Sequence, residues 1–173
     1  MPSKQYTVET SFGHTFVIES GSRDNPPLLL LHGSVSNSFT WYGDVASLSK
    51  THRVYAIDII GEAGLSAPSR PSYESGAYPL WLNETIDALG LNTCSIMAMS
   101  LGGWMALNFA TTYPDKVNNL VLLCPGGLAP EKAIFFMEGN LFFTFRKMGS
   151  NTNTLNQERQ KCSQNSILKI MTI

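Results

Sequence analysis

A chain of 173 residues with 43% hydrophobic and only 14% charged residues is long enough for one domain with its own core, and too apolar to stay unfolded. The formal net charge is −1, with no basic stripe and no acidic run, which argues against nucleic acid as a partner because such binding relies on neutralising phosphates. No apolar stretch approaches the ~20 residues of a bilayer span. Cys94, Cys124 and Cys162 are too few and too scattered for a disulfide framework or a metal site.

In chain order, Tyr6-Thr7-Val8-Glu9 and Thr15-Phe16-Val17-Ile18-Glu19 alternate apolar with polar around Gly13-His14. That pattern predicts two antiparallel strands with one wet face. After a turn-rich loop, Leu28 to Leu31 is a continuous apolar run, the form of a strand buried on both faces, and it ends in His32-Gly33-Ser34. Ser38 to Leu48 carries a modest helical pattern through Phe39, Trp41, Tyr42, Val45 and Leu48. Val54 to Ile57 is a second buried strand closed by Asp58, and a glycine-rich loop follows.

Leu82, Ile86 and Leu89 recur at helical spacing up to Gly90, which predicts a helix terminated there. Ser95 to Met99 reads as a third buried strand. Leu101 to Tyr113 is apolar almost all round, so its helix must be covered on most sides, and Pro114 stops it. Val117 to Cys124 is a fourth core strand, and Cys94 and Cys124 are expected as buried apolar thiols. Alternating strands and helices at this spacing predict a doubly wound, mostly parallel sheet.

In such sheets sites form at the carboxyl ends of the strands. His32-Gly33-Ser34, Asp58 with its glycine loop, Ser100 and Pro125-Gly126 all fall at that edge. Ser100 sits between an apolar strand and an apolar helix, flanked by Ala98 and Gly102, the sequence form of a very tight turn. A serine at its tip projects its hydroxyl beside the first free amides of the helix. Ser100 is therefore a candidate nucleophile.

The segments Leu30-Leu31-His32-Gly33-Ser34, Asp58-Ile59-Ile60-Gly61-Glu62-Ala63-Gly64-Leu65-Ser66 and Ala98-Met99-Ser100-Leu101-Gly102-Gly103 resemble the α/β-hydrolase family in its esterase, lyase and haloperoxidase branch. The resemblance runs from about Tyr6 to Pro130. It implies that Ser100 attacks a carbonyl carbon and that the backbone amides of Ser34 and Leu101 hold the oxyanion, each such donor giving roughly 10²–10³ in rate. It makes His32, Gly33, Ala98 and Gly102 supports of the turn and loop, with Ala98 where the family usually has glycine. Asp58 and its loop have a structural role there, and Trp41 and Trp104 are expected in the core or pocket wall. The implied partner is a small acyl compound, with no cofactor and no metal.

A serine needs a base, and in the family a histidine and an acid follow the nucleophile. Here His14, His32 and His52 all precede Ser100. After it come only Asp115, Glu131, Glu138 and Glu158 as carboxylates. The expectation is the front part of a hydrolase: a core over 1–127, then an incomplete lid segment and polar tail over 128–173, with little turnover alone. The aromatic run Phe135 to Phe145 would belong to that lid. An uncovered fourth strand would favour self-association through the sheet edge. With an N-terminus lacking an apolar core, the expected setting is cytoplasmic. A carbon–carbon hydrolase or cofactor-free haloperoxidase of the same fold, a non-catalytic binding protein, and a separate chain supplying the histidine all stay open.

Overall fold

The computed structural model describes residues 3–127. The expected lid and tail over 128–173, and Cys162, lie outside the described residues. Six strands form one sheet: β1 (Ser3–Thr10), β2 (Gly13–Ser20), β3 (Pro27–Leu31), β4 (Arg53–Ile57), β5 (Cys94–Met99) and β6 (Val117–Leu123). Their order is β1-β2-β4-β3-β5-β6. The β1–β2 hairpin joins antiparallel, and β4, β3, β5 and β6 run parallel. The sheet is mixed only at its hairpin edge, as the alternating pattern of the first two strands predicts.

The continuous apolar runs are explained by burial on two faces. Leu29, Leu31, Tyr55, Ile57, Ile96 and Ala98 point into one core, shared with helices α2 (Ala77–Ala88) and α3 (Ser100–Thr112). Leu28, Leu30, Val54 and Ala56 point to the other, where Trp41 and Val45 cover them. Successive strand residues face opposite sides, so each face takes every second residue. At about 25 cal/mol per Å², burying each leucine contributes roughly 1.5–3 kcal/mol.

The segment from Ser38 is a 3-10 turn (Ser38–Trp41) running into a short helix, α1 (Tyr42–Leu48). Trp41 and Val45 are buried and Leu48 half-buried, whereas Phe39 and Tyr42 stack on each other in solvent with ring centroids 5.0 Å apart. The apolar pattern therefore overstated the buried face: of its members only Trp41, Val45 and Leu48, successively four and three residues apart, meet the sheet. Helix α2 ends as expected at Gly90 (φ +71), where Leu91 N–H reaches Ile86 O (3.1 Å) and Gly90 N–H reaches Asp87 O (2.9 Å). This is a Schellman closure, in which glycine takes the left-handed position. Trp81 of α2 is fully buried, and its Nε1–H donates to Thr15 Oγ1 of β2 at 2.8 Å.

The expected burial of Cys94 is correct, but Cys124 is exposed. The ladder ends at Leu123, and Cys124 turns out of it in a left-handed conformation (φ +45) before Pro125. The strand pattern was extended one residue too far. Nor is β6 uniformly apolar: Asn118 and Asn119 face outward and hydrogen-bond to Thr93 and Ser95. No helix among the described residues is long and apolar enough to cross a membrane.

Candidate active site

Strand β5 delivers Ser100 to the carboxyl edge, where α3 begins on the same residue. Ser100 has φ +48, a left-handed conformation that costs a non-glycine residue roughly 1–2 kcal/mol. Backbone contacts hold it there. Gly102 N–H donates to His32 O (3.1 Å), and Gly126 N–H donates to Ser100 O (2.9 Å). A Cβ on Gly102 would lie 2.5 Å from His32 O and 2.7 Å from Leu31 O, so only glycine lets the helix start approach β3 this closely. Ala98 is fully buried beneath the turn. The Ser100 side chain is exposed, and among the described residues nothing hydrogen-bonds to its Oγ.

Two loop ends converge on this serine. Gly33 packs against it closely enough that a Cβ there would sit 3.3 Å from Ser100 Cβ and 3.9 Å from its Oγ. Ser34 follows directly and is exposed. On the other side, Leu101 lies in the first turn of α3, where backbone N–H groups have no intrahelical acceptor and the helix dipole favours negative charge. Among the described residues, neither the Ser34 nor the Leu101 amide donates to another group.

His32 is fully buried behind this loop. Ile59 N–H donates to its Nε2 at 2.9 Å, so Nε2 carries no proton and Nδ1–H donates to Gly33 O at 2.7 Å. Burial pushes its pKa below the usual histidine value, outweighing the opposing effects of the Gly33 bond and of Asp58 and Glu62. His32 is a neutral brace between two loops.

Asp58, also buried, staples the next loop: Oδ1 accepts from Ser38 N–H and Oδ2 from Leu65 N–H, both at 2.7 Å. Ser66 Oγ donates to Asp58 O (2.6 Å) and accepts from Phe16 N–H (2.8 Å). Its structural role is what the motif implied. Glu62, in the same loop, was not singled out by sequence. Its Oε2 accepts from Val35 N–H at 2.6 Å, next to Ser34, and Arg70 pairs with its Oε1 at 3.2 Å. The available signal was an acidic residue inside a glycine loop, but its partner lies 27 residues away.

The two tryptophans separate. Trp41 is core on the far face of the sheet, whereas Trp104, one turn past Ser100, is half-buried and meets Tyr73 and Tyr78 edge-on at 5.4 and 6.3 Å. Trp104 therefore forms a wall beside the helix start.

The remaining histidines stay apart from Ser100. His52 precedes β4, at the amino edge, and its Nδ1 contacts Thr51 Oγ1 at 2.9 Å. His14 is the second residue of β2, which runs antiparallel to β4, so it does reach the carboxyl edge. Three strand spacings separate β2 from β5, roughly 14 Å across the sheet, beyond the reach of an imidazole. Among the described residues no base stands at Ser100, and no group of His, Cys, Asp and Glu is arranged to hold a metal.

A strained serine at a parallel strand's end, with free amides on either side, defines a class: the chain belongs to the α/β-hydrolase family. Its sequence matches the alpha/beta hydrolase fold over residues 26–162. The match starts after the β1–β2 hairpin and ends beyond Pro130. Among curated relatives, it is 39% identical over 122 residues to a protein described as "Uncharacterized carboxylesterase nap" from Bacillus subtilis (strain 168), covering 70% of this chain and 41% of the relative. It is 38% identical over 123 residues to carboxylesterase YbfK of the same organism, covering 71% and 42%. The crystal structure of naproxen esterase from Bacillus subtilis superposes with a TM-score of 0.75 at 36% identity, covering 79% of this chain and 48% of that one. The chain thus spans about two fifths of the length of the curated relatives it matches.

Proposed function

We propose that this chain carries the nucleophile and oxyanion site of a hydrolase for carboxylic esters or similar small acyl compounds, working without cofactor or metal. One observation carries the proposal: the left-handed Ser100, exposed at the carboxyl edge beside the uncommitted amides of Ser34 and Leu101. In the proposed reaction Ser100 Oγ bonds to the carbonyl carbon while the carbonyl π electrons move onto oxygen. The Ser34 and Leu101 amides receive that charge. Collapse re-forms the carbonyl and breaks the bond to the leaving alkoxide. The alkoxide departs as the alcohol by taking up the proton that Ser100 gave to a base, and an acyl-serine is left for water to cleave. Gly33, Ala98, Gly102 and His32 hold the geometry. The esterase names of the relatives favour an ester over other acyl compounds.

The serine's proton must pass to a base, and none of the three histidines stands at Ser100. Turnover by this chain alone is accordingly low. The same observation supports a second reading, a binding protein derived from a hydrolase that holds acyl ligands without cleaving them. Carbon–carbon hydrolysis and haloperoxidation use the same elbow and are separated by substrate profiling. The same reading takes in a core over 1–127, an incomplete lid segment and polar tail over 128–173, a cytoplasmic setting and self-association along β6.

The test is a fluorophosphonate probe, with and without imidazole as an external base. The expected result is a single adduct mapped to Ser100, formed faster with imidazole and absent in Ser100→Ala. A Ser100 that stays unlabelled with imidazole present overturns the proposal. An adduct without ester turnover under any condition favours the binding protein.

A further inference from the structure

We infer that Glu62 is a positioning residue that aims the Ser34 amide at Ser100; this rests on the acyl-transfer reading of that site. The two peptide planes on either side of Ser34 are each pinned by one side chain. The Gly33–Ser34 plane, which carries the Ser34 N–H, is held through its carbonyl by His32 Nδ1–H at 2.7 Å. The Ser34–Val35 plane is held through its N–H by Glu62 Oε2 at 2.6 Å. With both planes fixed, the Ser34 amide has one direction open to it.

Val35 shows why the second pin is needed. It has φ +55, a conformation that is a genuine outlier for a β-branched residue, and it is 52% exposed, so packing does not impose it. The hydrogen bond to Glu62 is the contact that keeps Val35 turned. Glu62 is itself well anchored: its side chain is only 7% exposed and pairs with Arg70, whose guanidinium also holds Gly61 O. Gly61 takes a left-handed φ of +73, and a Cβ there would lie 2.8 Å from Ser69 O. The glycine thus lets this loop close upon Arg70.

An anion near a developing oxyanion is unfavourable in itself, so a carboxylate at this position acts through geometry, with Arg70 offsetting its charge. The amide of glutamine offers the same acceptor without charge, which separates the two effects. The experiment is an amide NMR titration of the chain with methyl butylphosphonate, a monoanion resembling the tetrahedral intermediate, in the wild type, Glu62→Ala and Glu62→Gln.

In the wild type, both the Ser34 and Leu101 resonances shift on adding the probe. In Glu62→Ala, Val35 amide exchange quickens by about 10- to 100-fold, the range for losing a hydrogen bond to a charged group. The Ser34 response falls severalfold while the Leu101 response persists, which also reports an intact fold. Glu62→Gln restores Ser34. Wild-type Ser34 and Leu101 amides that both ignore the probe overturn the acyl-transfer reading. A Glu62→Ala variant whose Val35 exchange and Ser34 response match the wild type overturns the role of Glu62 alone.

Discussion

The two sides of Ser100 reach their positions by different means. On the helix side, the turn from β5 into α3 is set by backbone: glycine at 102 against two carbonyl oxygens, and main-chain bonds from Gly102 to His32 and from Gly126 to Ser100. On the loop side, residues 33–35 are set by side chains, that of the adjacent His32 and that of Glu62 reaching over from the next loop, with Asp58 fixing the neighbouring segments. A backbone-built turn has no adjustable member. A loop held by side chains can be retuned one residue at a time, without disturbing the sheet beneath it.

The contrast makes the helix side the more sensitive to volume. Gly102→Val should cost about 4 kcal/mol in urea denaturation, above the usual 1–3 kcal/mol for overpacking, because the atoms it meets are backbone oxygens. A loss under 1 kcal/mol would show that the turn can open. Asp58→Ala attacks the side-chain scaffold instead. It strands the Ser38 and Leu65 amides, and the expected loss is about 3 kcal/mol in the same assay.

His32 provides a pH test of the loop side. Its folded pKa lies below its unfolded value of about 6.5, so its neutral form is favoured by folding. That stability is fully present above pH 6.5 and is lost as pH falls toward the folded pKa, because there the unfolded chain binds the proton that the folded chain refuses. The slope is at most about 1.4 kcal/mol per pH unit, and a His32→Phe variant should lack it. Melting curves between pH 5 and pH 7, an interval on the order of the histidine range, decide the matter.

The smallest effect sharpens the helix side. Ser100→Gly should stabilise the chain by about 1 kcal/mol by removing the left-handed strain, whereas Ser100→Ala keeps the strain and should be close to neutral. Equal stabilities for the two variants would mean that the turn stores no strain at this position.

Much of this arrangement was legible before the structure. Leu28 to Leu31, Val54 to Ile57 and Ser95 to Met99 read as strands because a parallel sheet buries both faces and so writes uninterrupted apolar runs. The serine turn was legible because a strand, small flanking residues and an apolar helix are local in sequence. The exposed Phe39–Tyr42 stack and the exposed Cys124 were not legible. Each depends on where a neighbouring element ends, one at a helix start and the other at the last rung of a ladder. Glu62 was missed for a related reason: nothing near position 62 reveals that Val35 needs an acceptor.

By itself the sequence determined the order of strands and helices, the strand edge on which the unusual residues gather, and the identity of Ser100 as the residue at the turn. It also placed His14, His32 and His52 ahead of Ser100 and none between residues 101 and 173. Tertiary structure alone decided that His32 is a buried neutral brace, that His14 shares the edge of Ser100 yet stands three strands away, and that Glu62 grips the loop beside Ser34. The physical reason is range. Burial pattern and turn chemistry act over a few residues and leave a mark in the local sequence, whereas the bonds that orient a loop join residues that only the folded sheet brings together.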